Sequence, residues 1–188
     1  MSKRQTIIEA AKNLLWEQGF EAMSPNKVMR LSSAGQGSLY HHFEGKEDLA
    51  LTALGEVDIE LRVAADKIFD KTKDPLDRLY DYILGPRSEL NGCRLGRLSY
   101  EKTVFETDIC TLIGNYFSYI SQHLSVAIDD AKAAGELPHH LDADALSKAL
   151  HAVIQGGYIL ARGTHNRDDM SKAQEGAWAM IEALSIRQ

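Results

Sequence analysis

Apolar residues recur every three or four positions along most of the chain, the spacing that places them on one face of an α-helix. The first run spans residues 7–15, and Gly19 follows it as a helix stop. Ser24 and Pro25 are typical of the N-cap and the first position of a short second helix. Because no segment of useful length alternates apolar and polar residues as a strand does, the pattern predicts an all-α fold of about nine helices.

Longer periodic runs occupy the rest of the chain. They predict a helix from 46 to 72 and another over about 108–134. A further helix is expected to begin near Cys93, after a loop-like stretch. The last two runs predict helices at about 142–163 and 169–186.

The lengths of these helices divide the chain into two parts. Residues 1–45 hold three short helices, which are too small for a deep core of their own. Residues 46–188 form a helical bundle of ordinary domain size, and its first helix, 46–72, connects the two parts.

Charge is distributed unevenly over the 188 residues. Residues 1–50 carry six Lys or Arg and six Asp or Glu, whereas residues 51–188 carry fifteen and twenty-one, which accounts for the net charge of −6. An acidic chain is a poor candidate for indiscriminate nucleic-acid binding, but a neutral N-terminal part leaves site-specific binding open. The two cysteines, the lack of an apolar signal core and the lack of a long apolar run favour a cytoplasmic protein.

The N-terminal part has the layout of a helix-turn-helix, because a three-residue turn, 33–35, joins two short helices. In that motif the second helix enters the major groove and its first residues meet base edges. Gln36 can bind adenine through two hydrogen bonds, Ser38 can donate or accept, and Gly37 lets the backbone approach closely. Groups that can hold phosphates follow at Tyr40, His42 and Lys46. The alternative interpretation of this spacing is an ordinary helical hairpin with a solvated polar face.

A more specific pattern covers residues 3–54. It consists of Ile8-Glu9-Ala10-Ala11, Glu17-Gln18-Gly19-Phe20, and Gly37-Ser38-Leu39-Tyr40-His41-His42-Phe43 followed by Lys46-Glu47. These segments resemble the N-terminal DNA-binding domain of the TetR/AcrR family of transcriptional regulators. The resemblance implies a dimeric, mostly repressing regulator of a palindromic operator, whose part 46–188 binds a small effector and dimerises.

The resemblance assigns roles to residues of this chain position by position. The family's recognition-helix contacts to DNA fall on Gln36, Gly37, Ser38, Tyr40 and His41. Its phosphate contacts fall on His42 and Lys46, while Ser24 and Asn26 would touch the DNA backbone or a flanking base.

The chain departs from the family pattern at three positions. Ser33 stands where the turn usually has glycine, and Gly35 stands where a serine or threonine cap is usual. We expect these two differences to alter local stability rather than role. Gln36 replaces a common lysine, so we expect DNA binding to depend more on base contacts and less on salt.

A second segment, residues 91–101, resembles the Gly-Cys-x-x-Gly-x-Leu-x-x-Glu stretch in the effector domain of one branch of this family. The resemblance implies either a response to electrophiles or oxidants through cysteine or non-covalent binding of multi-ring compounds. Cys93 is expected in the first turn of a helix with Arg94 and Arg97 nearby, and both features favour thiolate. The alternative role for Cys93 is a small apolar filler of the bundle core.

Further candidates line the predicted bundle. Possible effector-pocket walls, each also suited to the plain core, are Phe105, Tyr116, Phe117, Tyr119 and Trp178. The last two predicted helices carry an additional apolar stripe, which predicts a dimer interface from both chains. Its candidate residues are Leu146, Ala149, Val153, Gly156, Gly157, Leu160, Ala173, Ala177 and Ile181.

Other kinds of site find little support in the sequence. Adjacent histidines on a helix point about 100° apart, so His41 and His42 cannot both face one metal ion, and no cofactor motif is present. Cys93 with His123 or His151 is the remaining arrangement for an enzyme, but nothing in the sequence fixes their proximity. A helical adaptor that does not bind DNA is the other alternative.

Overall fold

The structure is a computed structural model that describes residues 2–88 and 90–186, and this part of the chain contains helices and no strand. The all-α prediction is therefore confirmed, and the eight α-helices described come close to the nine expected. They are α1 (Lys3–Gln18), α2 (Pro25–Ser32), α3 (Gln36–His42), α4 (Lys46–Ile68), α5 (Pro75–Leu84), α6 (Asp108–Ala133), α7 (Ala143–Thr164) and α8 (Asp168–Leu184). Two 3₁₀ turns, Gly96–Tyr100 and Lys102–Glu106, precede α6.

Polar side chains begin several of these helices by accepting hydrogen bonds from the first free backbone N–H groups. Ser24 Oγ accepts from Lys27 N at 3.3 Å, and Asp142 Oδ1 accepts from Ala145 N at 3.1 Å. Pro25 occupies the start of α2, where its missing N–H costs no helical hydrogen bond. The start of α2 predicted from the sequence is thus explained by local chemistry alone.

The helix predicted to begin near Cys93 does not form. Gly92 has a positive φ of 78°, Cys93 lies in irregular backbone, and regular structure starts only at the 3₁₀ turn of Gly96. Leu95 and Leu98 are both fully buried, and a three-residue spacing occurs in 3₁₀ helices as well as in α-helices, so the spacing does not distinguish the two. Cys93 therefore lacks the helix N-terminus that the sequence-based argument for a thiolate used.

One compact unit consists of residues 1–61 and 94–115. Its core is formed by apolar side chains of α1 to α4 together with the two 3₁₀ turns. The largest fully buried ones are Ile7, Ile8, Leu14, Leu15, Met23, Leu39, Leu49, Leu54, Leu95 and Leu98. The three short N-terminal helices thus bury their apolar faces with the help of α4, as their small size requires.

The other compact unit consists of residues 62–93 and 116–188. Within it α7 packs closely on α8, because Gly157 has no side chain. A Cβ at this position would lie 2.6 Å from Met170 Sδ. Gln174 of α8 donates from Nε2 to the carbonyl oxygens of Ile83 at 2.6 Å and Gly85 at 2.9 Å, which ties α8 to the end of α5. In the described residues, none of the helices is both long enough and apolar enough to cross a membrane.

Candidate nucleic-acid interface

The turn between α2 and α3 gives the helix-turn-helix its sharp bend. Ser33 ends α2 in the left-handed conformation, with φ 50° and ψ 34°, and the N–H of Ala34 donates to Met29 O at 3.1 Å. Lys3 Nζ donates to Ser33 O at 2.8 Å and so supports the bend from α1. Glycine is usual at such a position because a Cβ makes the left-handed region unfavourable. The serine here is therefore a local cost in stability.

The short helix α3 separates its apolar residues from its polar ones. Leu39 is fully buried, and Phe43 directly after the helix is buried as well. Gln36, Gly37 and His41 are exposed. Tyr40 is 50% exposed, and Ser38 and His42 are half-buried. All of the predicted DNA-contacting residues of α3 therefore lie at or near the surface, while Leu39 anchors the helix in the core.

The predicted backbone contacts lie on α2 and α4. Asn26 is exposed, and Ser24 is half-buried because its hydroxyl caps α2. Lys46 is the first residue of α4; its Nζ donates to Glu21 O at 3.2 Å and lies 4.5 Å from the centre of the Phe20 ring. The ammonium group is thus held in place by the turn that connects α1 to α2.

Three carboxylates of the same unit converge on one buried lysine. Lys12 is only 4% exposed, and its Nζ lies 3.0 Å from Glu9 Oε1, 2.9 Å from Glu56 Oε2 and 2.7 Å from Glu60 Oε1. Burial alone would lower the pKa of Lys12, but the hydrogen bonds to Glu60, Glu56 and Glu9 outweigh it and raise the pKa. One lysine thus joins a carboxylate of α1 to two carboxylates of α4.

Some of the predicted effector residues share one buried polar cluster in the unit of residues 62–93 and 116–188. Cys93 is half-buried, and it adds a smaller contribution to the raised pKa of the buried phenols of Tyr82 and Tyr116. Burial raises the pKa of both phenols, so both stay protonated. The guanidinium of Arg87 lies 5.0 Å from the centre of the Tyr82 ring and donates to the Tyr82 carbonyl oxygen. Tyr158 interacts with the same phenols.

His151 is a second buried polar group of this unit. It is 6% exposed; Phe117 meets it edge to face with ring centres 5.0 Å apart, and Ser121 Oγ lies 3.3 Å from its Nδ1. Burial, reinforced by the positive charge of Arg87, lowers the pKa of His151 to about 4. The imidazole is therefore neutral at physiological pH.

Sequence reasoning did not select Tyr82, Arg87 or Tyr158 for this cluster, and it considered His151 only as an enzyme base. A phenol, a guanidinium or an imidazole on an otherwise apolar helical stripe is a recognisable pattern, but it does not reveal which of these groups meet.

The remaining predicted effector residues do not belong to this cluster. Phe105 is 73% exposed, and Tyr119 donates its hydroxyl to Asp66 while Arg62 lies 4.3 Å from its ring centre. Trp178 meets Tyr80 edge to face at 5.0 Å and lines a shallow cleft of about 310 Å³ between α5 and α8. Among the described side chains, no three His, Cys, Asp or Glu residues come close enough to hold a metal ion.

The predicted dimer residues fall into two groups. Gly157, Ala177 and Ile181 are buried within one chain, so they offer no surface to a second copy, and Gly157 lies against Met170 and Ala173 of α8. The exposed or half-exposed candidates are Leu146, Ala149, Val153, Gly156, Leu160 and Ala173. Further exposed positions that the sequence-based selection missed are Ile159, Gly163, Gly176 and Met180, and a Cβ at Gly156, Gly163 or Gly176 would meet nothing within 4 Å.

Known proteins resemble the chain over its N-terminal helices and over its whole length. The sequence model of the family described as bacterial regulatory proteins, tetR family, matches residues 7–53. The HTH-type transcriptional repressor DhaR of a Mycobacterium species is 24% identical over 172 residues, which cover 90% of this chain and 87% of that protein. The HTH-type transcriptional regulator TtgR of Pseudomonas putida is 26% identical over 163 residues, covering 81% and 77% respectively.

A solved structure shows the same fold. The regulatory protein TetR from Rhodobacter sphaeroides aligns over 97% of this chain and 98% of that one, with a TM-score of 0.82 at 22% identity.

Proposed function

Because the chain belongs to the TetR/AcrR family of transcriptional regulators, we propose that its helix α3 reads the bases of an operator through Gln36 and Ser38. The chain is a DNA-binding regulator, and relatives such as DhaR are repressors. The observation that carries the assignment to α3 is its asymmetry: Leu39 fixes the helix in the core while the polar residues of the helix lie at the surface. Polar side chains at the start of a recognition helix are the groups that meet base edges.

The phosphate contacts follow from the same arrangement. Lys46 at the start of α4 and Asn26 at the start of α2 supply polar or charged groups at the ends of neighbouring helices. Tyr40 and His42 in the second half of α3 complete the set. These groups hold the DNA backbone and set the orientation of α3, while the base contacts determine the sequence that is bound.

We further propose a division of labour in which residues 1–45 form the DNA-binding domain, to which Lys46 adds a phosphate contact, and residues 46–188 bind the effector and form the dimer. The helix predicted over 46–72, which is α4 in the structure and ends at Ile68, connects the two parts. The protein acts in the cytoplasm, where its operator lies, and as a regulator rather than as an enzyme.

The dimer that we propose uses the exposed sides of α7 and α8. Leu160 and Met180 are exposed apolar residues, and Gly156, Gly163 and Gly176 present open backbone beside them. Small residues allow the helices of a second copy to approach closely, so that the apolar side chains are buried. Two copies related by a two-fold axis would present two α3 helices to a palindromic operator, with half-sites roughly 34–36 Å apart or somewhat more.

For the effector we propose the cluster of Cys93, Tyr82 and Tyr116 as the binding region. Two protonated, buried phenols and a half-buried thiol of the same unit offer hydrogen bonds, which suits a small molecule with a polar oxygen. Covalent modification of the thiol and non-covalent binding are both compatible with this arrangement. We also propose that the chain belongs to the branch of the family that carries the Gly-Cys-x-x-Gly-x-Leu-x-x-Glu segment.

The experiment on DNA binding starts from a random pool. Sequences retained by the purified protein give the operator, and binding of Tyr40→Ala and Lys46→Ala is then measured by fluorescence anisotropy. Both variants should bind every DNA sequence more weakly, because a phosphate contact is lost regardless of the bases. Asn13→Ala, which removes an exposed side chain on α1, should bind like the wild type. Equal affinities of all variants would contradict the proposed interface.

The experiment on Cys93 uses a maleimide, whose double bond accepts the thiolate sulfur on one carbon and a proton on the other. If modification of Cys93 releases the repressor, the maleimide should dissociate the wild type and Cys110→Ser from the operator. Cys93→Ser should bind the operator normally and resist release. Release of Cys93→Ser as readily as wild type would rule out covalent sensing at this residue.

A further inference from the structure

The carboxylate of Glu101 holds the turn between α1 and α2. Glu101 lies between the two 3₁₀ turns, about eighty residues further along the chain than the turn it contacts. The backbone N–H of Phe20 donates to Glu101 Oε1 at 3.0 Å, and the N–H of Glu21 donates to Glu101 Oε2 at 2.6 Å. Two consecutive N–H groups thus bind the carboxylate as they would bind an anion, through charge-assisted hydrogen bonds.

Gly19 makes room for this contact. It ends α1 with a φ of 90°, a conformation that L side chains rarely adopt, and a Cβ there would overlap Glu101 Oε1. Glycine is therefore required at this position both for the backbone conformation and for the approach of the carboxylate.

The same turn is held at further points. Thr103 Oγ1 donates to the side chain of Glu21 at 3.0 Å. Lys46 Nζ donates to the Glu21 carbonyl oxygen at 3.2 Å and lies over the Phe20 ring. The N–H groups of the turn therefore bind Glu101, while a carbonyl oxygen of the same turn binds a lysine of the proposed DNA interface.

The segment that carries Glu101 is itself firmly anchored. Leu95, Leu98 and Val104 are fully buried or nearly so. Arg94 Nη1 lies 2.7 Å from Glu60 Oε2, and its guanidinium carbon lies 5.6 Å from the centre of the Trp16 ring. A carboxylate on an anchored segment can restrain a turn, because it loses little conformational entropy in doing so.

We propose that Glu101 is a positioning residue for DNA binding: it fixes the turn of residues 19–23, which aims Lys46 and the start of α2 at the DNA backbone. This inference rests on the proposed function. Glu101 does not touch DNA itself. It accounts for the Glu of the Gly-Cys-x-x-Gly-x-Leu-x-x-Glu segment, which has no role in the effector cluster.

The test compares Glu101→Ala and Glu101→Gln with Glu106→Ala, which removes an exposed carboxylate from the neighbouring 3₁₀ turn and keeps the same net charge as Glu101→Ala. Glu101→Ala should weaken binding of the selected operator about tenfold or more, the size expected for loss of a charged hydrogen bond. Glu101→Gln keeps one acceptor oxygen and should lose less. Glu106→Ala should bind like the wild type.

Hydrogen exchange of the DNA-free protein supplies a readout that a general loss of stability would not reproduce. The amides of Phe20 and Glu21 should exchange about tenfold faster in Glu101→Ala and Glu101→Gln, while amides within α8 keep their wild-type rates. All binding measurements are made at a temperature at which circular dichroism shows each variant folded. If Glu101→Ala does not fold, Glu101→Gln carries both measurements.

The outcomes separate this inference from the proposed function. A wild type that retains no sequence from a random pool would refute DNA binding itself. A wild type that binds, together with a folded Glu101→Gln whose amides exchange faster and whose operator affinity is unchanged, would refute the positioning role. Unchanged amide exchange in both variants would refute it as well.

Discussion

Replacement of Lys12 by methionine should destabilise the protein, because it removes the positive charge from a site that holds three carboxylates. The side chain of Lys12 is 4% exposed, and those of Glu9, Glu56 and Glu60 are 41%, 30% and 49% exposed. Breaking a fully buried ion pair costs about 3–5 kcal/mol, whereas an exposed pair contributes about 0–1 kcal/mol. Because these carboxylates can turn partly towards water, the cost of Lys12→Met at neutral pH should be about 2–3 kcal/mol.

The pH dependence of this effect follows from the direction of the pKa shifts. The pKa values of Glu56 and Glu60 are both lowered. For Glu56 burial opposes ionisation, but hydrogen bonds, first of all the one from Lys12, outweigh it. For Glu60 the hydrogen bond from Lys12 is the largest effect. The folded state therefore binds fewer protons than the unfolded state near the usual pKa of glutamate. The stabilisation is present above that pKa and is lost as the pH falls through the lowered values.

The assay is urea denaturation of wild type and Lys12→Met at about pH 7 and about pH 3.5. The difference in free energy of unfolding should be largest at neutral pH and should shrink in acid. Lys148→Met breaks an exposed pair with Asp144 and should change the free energy by less than about 0.5 kcal/mol at either pH. A Lys12→Met variant as stable as wild type at neutral pH, or a difference that does not change with pH, would refute this reasoning.

Three other substitutions test the left-handed turn at Ser33, the neutral state of His151 and the proposed dimer interface. Ser33→Gly should raise the free energy of unfolding in urea by about 0.5–1 kcal/mol, since it relieves the left-handed serine; a loss of stability would contradict this explanation. Because His151 has a pKa lowered to about 4, the imidazole of the unfolded state takes up a proton first as the pH falls below about 6.5. Wild type therefore loses stability between about pH 7.5 and 5, and His151→Gln should remove on the order of 2 kcal/mol of that loss. An unchanged pH dependence in that variant would show that the imidazole is not held neutral. Gly156→Glu places a charge on the exposed side of α7 and should give a monomer in sedimentation with greatly weakened operator binding, whereas a dimer of wild-type mass would argue against this interface.

Features that depend on neighbours in the sequence were predictable from it. The three- and four-residue spacing of apolar positions reports which face of a helix is buried, so helices such as α7 were located near their ends. The turn between α2 and α3 is equally local, because it is defined by the helix ends on either side. The resemblance of residues 3–54 to a known family then supplied roles for α3 that spacing alone leaves open.

Features that join distant parts of the chain could not be predicted. Glu101 and Phe20 lie 81 residues apart, and Lys12 and Glu60 lie 48 residues apart. Neither pair has the three- or four-residue spacing by which contacts within a helix can be recognised in a sequence. The residues that pack against Gly157 could not be predicted for a related reason. A small residue in an apolar stripe indicates close packing but not its partner, and the partner is α8 of the same chain.

Cys93 shows the limit of local reasoning most clearly. A helix was expected there because the loop-like stretch ends at Asn91 and Gly92. Regular structure instead begins beyond the cysteine, with the 3₁₀ turn at Gly96. The two phenols whose pKa Cys93 helps to raise, Tyr82 and Tyr116, come from α5 and α6, far from it in the sequence or in another element.

The central claim is that the exposed side of α3 reads base pairs of an operator. Its most direct test measures the affinity of wild type and Gln36→Ala for the selected operator and for every single-base variant of it. Gln36→Ala should lose about 1–3 kcal/mol of discrimination between the correct and incorrect bases at one base pair of each half-site, and it should keep the wild-type preference at the other positions. An identical preference profile for both proteins would contradict the assignment of α3 as the element that reads the sequence.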